Sequence, residues 1–325
     1  MNDIKPPFKI FKTHLVNAFF ITPEKLYREF KPVIEKIDRF QDGRIYFIVK
    51  RPRSRFKNVK VGCDCYIYFK YSSQGYFSKS HKIPISCILH GANSINKDIY
   101  PTPESLQHKL VYVRDENPSR RASDPYDNII YVTPSRGQIE RGNKVIEFKL
   151  LPSSRSEYKD QSIDIPLFSY QFLRLTGHSQ IKSEVLYIGK ANDFKTRTDG
   201  HEHIQQALAE CADHEEVYVY FFTPKFSVLD SKYGYQSLTS VELDKMTEEQ
   251  KVLVCEAGLI NYFKPELNVD HKLSDITKSK TLRVLKEHNY THFVMNCMFD
   301  EDDYFFETAC VKRSGEHKKN YSLKT

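Results

Sequence analysis

The residue types best suited to chemistry fall in two segments. The first is Val185-Leu-Tyr-Ile-Gly-Lys-Ala-Asn-Asp-Phe-Lys-Thr-Arg-Thr-Asp-Gly-His201, which carries Tyr187, Gly189, Arg197 and His201; the second, Glu256-Ala-Gly-Leu-Ile-Asn-Tyr-Phe-Lys-Pro-Glu-Leu-Asn268, adds a helical carboxylate and an asparagine past a proline. As a set they match what hydrolysis of a phosphodiester requires: a water deprotonated beside phosphorus, charge neutralised on the non-bridging oxygens and a stabilised leaving oxygen. Glu256 is a hard oxygen ligand for Mg²⁺ or Mn²⁺, ions that keep several waters. Arg197 grips a phosphate with two donors, more rigidly than a lysine would. A tyrosine near the metal takes a proton from the attacking water once its own affinity for protons is lowered, and His201 assists or relays it. Gly189 lets the backbone turn or approach a ligand closely.

Each residue alone has a plainer role. Tyr187 is a strand aromatic in a chain with 21 tyrosines, Arg197 and His201 open a helix, and Glu256 suits a surface ion pair. It is the ordered set that carries the argument. Tyr187-Ile188-Gly189, Arg197 eight residues after the glycine, His201 a helical turn later, Glu256, and Asn268 beyond Pro265 together resemble the GIY-YIG nuclease superfamily over about residues 166–270. The family's opening Gly-Ile-Tyr is not found there. The strand read at Pro166-Leu-Phe-Ser-Tyr-Gln-Phe-Leu-Arg-Leu175 offers Tyr170 in its place, with Phe168 where the glycine belongs, and its connection to Tyr187 exceeds the family's tight hairpin. The resemblance implies a small α/β sandwich with a short antiparallel sheet. It further implies a metal-dependent DNA endonuclease of restriction or defence type, with Tyr170 as general base, Tyr187 contacting phosphate or metal-bound water, and Asn268 in structural support. A double-strand cut takes two such sites, which a homodimer would supply. The alternative is a catalytically inactive protein that keeps this fold and binds nucleic acid.

The charge pattern points to a polyanionic partner, DNA in the first instance. The chain carries +7 overall, but residues 1–160 hold 29 Lys+Arg against 17 Asp+Glu and the remainder 20 against 25. The basic excess is densest in Lys50-Arg-Pro-Arg-Ser-Arg-Phe-Lys-Asn-Val-Lys60. Its Lys50, Arg51, Arg53, Arg55, Lys57 and Lys60 read as the tip of a basic hairpin gripping phosphates, with Phe56 available to stack. Cys63-Asp-Cys65 with Cys87 and His90 has the composition of a zinc site, but the alternation of Cys63, Cys65, Ile67 and Phe69 reads as one buried strand face. His203, two residues from His201, faces another side of its helix and reads as incidental.

These residues need elements to hold them. Thr22-Pro23-Glu24 caps a helix whose apolar residues run from Leu26 to Ile37. Short β-branched and aromatic runs then follow at 44–49, 61–71, 109–113, 128–132 and 144–150. Polar residues 151–160 read as a linker. Beyond it come strands at 169–175, 184–188 and 215–222, helices at 201–211, 248–263 and 274–288, and closing strands at 291–299 and 303–312. The fold class is therefore α+β, in two domains: a basic, β-rich nucleic-acid-binding domain over 1–155 and a GIY-YIG-like domain over 161–325, with its core at 166–270. With 40% hydrophobic residues the chain can bury a large core, and it has no apolar run long enough to cross a membrane and no signal-peptide core, so a cytoplasmic location is expected. Seven scattered cysteines read as reduced thiols.

Overall fold

The computed structural model describes residues 8–24, 26–27, 44–73, 76–77, 79–91, 100–112, 130–139, 145–152, 163–169, 182–190, 202–231, 237–238, 245–272, 275–299 and 305–323. It is a strand-rich α+β protein that divides into two compact units, 1–51 with 182–325, and 52–181. The boundary expected near 155–161 is therefore corrected. The N-terminal residues join the C-terminal half, and the middle of the chain is an insertion between them. The reason is strand pairing, which follows hydrogen-bond register across long loops and is indifferent to sequence order.

The discontinuous unit is built on a seven-stranded sheet among the described residues. Its strands are β1 (Lys9–Ile21), β2 (Ile45–Pro52), β11 (Glu184–Lys190), β12 (Glu215–Asp230), a short β13 (Ser237–Leu238) on β12, β14 (His292–Met298) and β15 (Glu316–Ser322), with spatial order β11-β2-β12-β1-β14-β15. β1 was not foreseen, because Lys9, Lys12 and His14 interrupt its apolar pattern. It pairs antiparallel with β12 and parallel with β14, and Phe11, Thr13 and Leu15 alternate into the core. The last strand also lies later than expected, at 316–322 in place of 303–312.

Helix α4 (Glu248–Phe263) matches the expected span. A capping box of Thr247 and Gln250 starts it, and it stops where Lys264 turns left-handed (φ 51°) ahead of Pro265. Val252, Cys255, Leu259 and Phe263 recur at helical spacing and are buried. Gly258 is the point of closest approach to the sheet: a Cβ there would lie 2.6 Å from Phe293 Cε1. Helix α5 (Lys280–Glu287) is capped by Ser279 and buries Leu282 and Leu285. Thr22 opens a helix as expected, with Leu26 N–H donating to its carbonyl at 3.0 Å; the span 28–43 lies outside the described residues.

The inserted unit holds two sheets among the described residues. One contains β3 (Ser54–Val61), β4 (Tyr66–Ser73), β5 (Tyr76–Phe77) and β6 (His81–Pro84), all antiparallel, followed by helices α1 (Ile85–Gly91) and α2 (Pro103–Gln107). The other runs β10-β9-β8-β7, formed by Ile163–Phe168, Val145–Pro152, Ile130–Ile139 and Leu110–Tyr112. The single strand expected over 61–71 is thus two strands joined by a turn at 62–65. Cys63 is exposed in that turn and only Cys65 is buried, so the alternating cysteine face is corrected. All seven cysteines are free thiols.

Candidate functional site

Strand β11 positions the Tyr-Ile-Gly motif, and its partner is not the strand expected. β10, just before Tyr170, pairs with β9 in the inserted unit, whereas β11 pairs antiparallel with β2. Opposite Tyr187, Ile188 and Gly189 stand Ile48, Phe47 and Tyr46. Tyr46 and Tyr187 lie on one face of the sheet, with ring centroids 5.9 Å apart. A register slip between Val185 and Tyr187 leaves Leu186 as an extra residue, a bulge of the kind that re-aims the side chains after it. Gly189 is what lets the pair close up. A Cβ at that position would lie 2.5 Å from the Tyr46 hydroxyl oxygen and 2.7 Å from Tyr187 Cε1, so only a bare Cα fits beneath both rings.

Helix α3 (Glu202–Ala209) covers this face, burying Ile204 and Ala207. It also sets the His203 ring on Tyr187, with centroids 4.0 Å apart and planes inclined by 25°. His203 is therefore a neighbour of Tyr187, which corrects its reading as incidental. Arg197, His201 and Tyr170 lie outside the described residues.

Asn268 is a clasp on the same strand. Its Oδ1 accepts the Ile188 N–H at 2.9 Å and its Nδ2 donates to the Ile188 carbonyl at 2.8 Å, so one buried amide satisfies both backbone groups of the motif's central residue. Leu267 N–H donates to the Leu186 carbonyl at 2.9 Å, and Val185 N–H to Glu307 at 2.9 Å. The outer edge of β11 is thereby paired, as an exposed edge beside a site would otherwise invite strand addition. Asn268 reads from the sequence as bonding backbone near the end of its own helix; the backbone it bonds is that of strand β11.

Glu256 is half-buried on α4, the helix that packs beside β11. The start of α4 is tied to the end of β11 by an ion pair of Lys190 Nζ with Glu249 Oε1 at 3.2 Å. Among the described residues no group of three or more His, Cys, Asp or Glu side chains gathers as a metal cage. Glu256 offers a single carboxylate, a donor set that suits Mg²⁺, which binds through one or two carboxylates and completes its shell with water and phosphate.

The basic segment does not form a hairpin tip. Lys50 and Arg51 end β2 in the discontinuous unit, and Arg53 to Lys60 begin the inserted one. Lys50 lies between Glu184 (3.2 Å) and Glu215 (3.7 Å); burial lowers its proton affinity, but these carboxylates outweigh that and leave it raised. Arg51 is 1% exposed, its guanidinium 5.1 Å from the Tyr220 ring centre and 5.9 Å from that of Tyr218. Burial withdraws Arg51, and the two carboxylates hold Lys50. Arg53, Lys57 and Lys60 are exposed, and Arg55 is half-buried, donating from Nη1 to the Ser54 carbonyl at 2.6 Å.

Tyr46 is the residue that sequence reasoning missed. It stands in Gly43-Arg44-Ile45-Tyr46, ahead of the whole inserted unit. No protein-family model, curated protein or solved structure matches the chain. No helix among the described residues is long and apolar enough to cross a membrane.

Proposed function

We propose that this protein is a metal-dependent endonuclease of GIY-YIG type whose first motif is Ile45-Tyr46, separated from Tyr187-Ile188-Gly189 by an inserted basic unit. The observation that carries the reading is the register of β2 against β11, which puts Tyr46 directly opposite Gly189 and beside Tyr187 on one sheet face. That is the relation expected of the two opening strands in the family, with the tight hairpin between them replaced by residues 52–181. Arg44 then stands where the family has its glycine.

In this reading Tyr46 is the general base and Tyr187 contacts the phosphate or metal-bound water. Tyr46 replaces Tyr170, whose neighbouring strand belongs to another sheet. His203, stacked on Tyr187, fixes the ring orientation of that phenol. Arg197 neutralises phosphate charge, and His201 assists proton transfer. Glu256 would hold Mg²⁺ or Mn²⁺, which when bound stabilises charge on the leaving oxygen. DNA is the proposed substrate, and the basic excess lies on the inserted unit, since residues 52–181 carry 19 Lys+Arg against 12 Asp+Glu while the rest of the chain is balanced at 30 against 30.

A plasmid-nicking assay with Mg²⁺ tests the assignment. Tyr46→Phe, Arg197→Ala and Glu256→Ala are expected to lower the cleavage rate by about 10² or more, and Tyr170→Phe to leave it unchanged. Loss of cleavage in Tyr170→Phe with Tyr46→Phe unaffected would return the base to Tyr170. DNA binding with no cleavage in any metal would favour a binding protein that keeps the fold without the chemistry.

A further inference from the structure

We propose that the solvent face of the β3-β4-β6 sheet in the inserted unit is a docking face for single-stranded nucleic acid, with Tyr66 and Tyr68 stacking on bases and Lys60, Lys70 and Lys82 meeting phosphates. The inward side of this sheet is committed to core: Phe56, Ile67, Phe69 and Tyr71 are at most 2% exposed. The outward side is set by register. Lys60, Tyr68 and Lys82 stand opposite one another on three adjacent strands, and Tyr66 and Lys70 flank Tyr68 two residues away along β4. All three lysines are exposed and both tyrosines half-exposed.

Charge and shape both select the occupant. Between Arg53 and Lys97 the sequence holds eight Lys+Arg and one acidic residue, Asp64. Two aromatics at i and i+2 of a strand sit about 7 Å apart on one flat face. That is about the reach of one nucleotide of an extended strand, and stacking tolerates any base because every base offers a π-face. A duplex buries those faces and offers only groove edges and backbone, which a flat sheet with tyrosine platforms fits poorly.

Asp64 marks a place on this face where an anionic group is held. Its Oδ2 accepts from the Tyr68 hydroxyl at 2.7 Å and lies 3.1 Å from Lys82 Nζ, while that ammonium sits 4.0 Å from the centre of the Tyr66 ring and 5.2 Å from that of Tyr68. The one carboxylate on the face thus occupies, at the middle of the Lys60-Tyr68-Lys82 row, the place a phosphate would take. Removing its charge is expected to strengthen binding.

The test is fluorescence anisotropy of the full chain in EDTA, so hydrolysis plays no part and the result stands apart from the nuclease reading. The probes are labelled oligo-dT and oligo-rU of about a dozen nucleotides and a matched DNA duplex, titrated across NaCl concentrations. Both single strands are expected to bind more tightly than the duplex. Tyr66→Ala should weaken them about tenfold without altering the salt slope, with recovery in Tyr66→Phe. Lys60→Ala and Lys70→Ala should each flatten the slope by about 0.7, and Asp64→Asn should tighten binding about fivefold. Melting curves establish that each variant is folded. Duplex binding equal to or tighter than single-strand binding, a silent Tyr66→Ala, or weaker binding by a folded Asp64→Asn overturns the proposal.

Discussion

Replacing Gly189 with alanine tests the tyrosine pair through its floor. The new methyl would start 2.5 Å from the Tyr46 hydroxyl oxygen, 2.6 Å from Tyr46 Cζ and 2.7 Å from Tyr187 Cε1, whereas ordinary van der Waals contact begins near 3.4 Å. Relief requires the rings to retreat by about 0.7 to 0.9 Å, and overpacking of this kind costs about 1 to 3 kcal/mol. Displacement of a reacting group by about 1 Å lowers rate by about 10². Gly258→Ala is the matched control: its Cβ meets Phe293 at 2.6 and 2.7 Å, an equal clash on the α4–β14 contact with no tyrosine of the pair involved. Both variants should melt lower, by about 2 to 4 °C for each kcal/mol in a unit of this size. Only Gly189→Ala should lose cleavage in a single-turnover nicking assay with saturating protein. Full cleavage by Gly189→Ala, or equal loss in both variants, refutes the assignment of Tyr46 and Tyr187 as the reacting pair.

Further expectations follow from the same contacts. Asn268→Ala leaves the Ile188 N–H and carbonyl buried without partners, at about 1 to 3 kcal/mol each, and urea denaturation should show a loss in that range. Asn268→Asp should not restore stability, because a carboxylate oxygen then faces the Ile188 carbonyl. Stability should also depend on histidine protonation. Burial, with some help from Lys12, holds His14 below the ordinary histidine value, and burial does the same for His317. With the folded-state values depressed, the unfolded chain binds more protons just below pH 6.5, so stability is full above that pH and falls as pH drops through and below it. Melting curves between pH 8 and 5 should show this decline, and it should be shallower in His317→Phe; a flat profile in the parent protein sinks the argument.

Several features were legible without coordinates because they depend on short-range chemistry. Pro265 marks the end of α4, and Val252, Cys255, Leu259 and Phe263 recur at helical spacing on its buried side, so its span of about 248–263 was readable; the capping box of Thr247 and Gln250 fixes its start. The apolar and aromatic run of Glu184–Ile188 marked a strand, and the ordered tyrosine, glycine, glutamate and asparagine marked that strand as worth attention. Charge was legible in amount but not in place: +7 resides on the inserted unit, and the cut at residue 160 divided it wrongly because the first 51 residues fold elsewhere.

What only the tertiary structure decided is which strands are neighbours. A hydrogen-bonded register can be closed across any length of chain, since closure entropy grows only logarithmically with loop length, so nothing local announces that β2 completes β11. That single pairing moves the first tyrosine from Tyr170 to Tyr46 in the proposed site and turns the middle of the chain into an insertion. It also goes with the burial of Arg51 and with the setting of Lys50 between Glu184 and Glu215, neither of which the local sequence announces. The sequence by itself determined the chemistry-bearing residues of β11 and α4, and the fold determined their company: Tyr46 opposite Gly189, His203 on Tyr187 and Asn268 on Ile188.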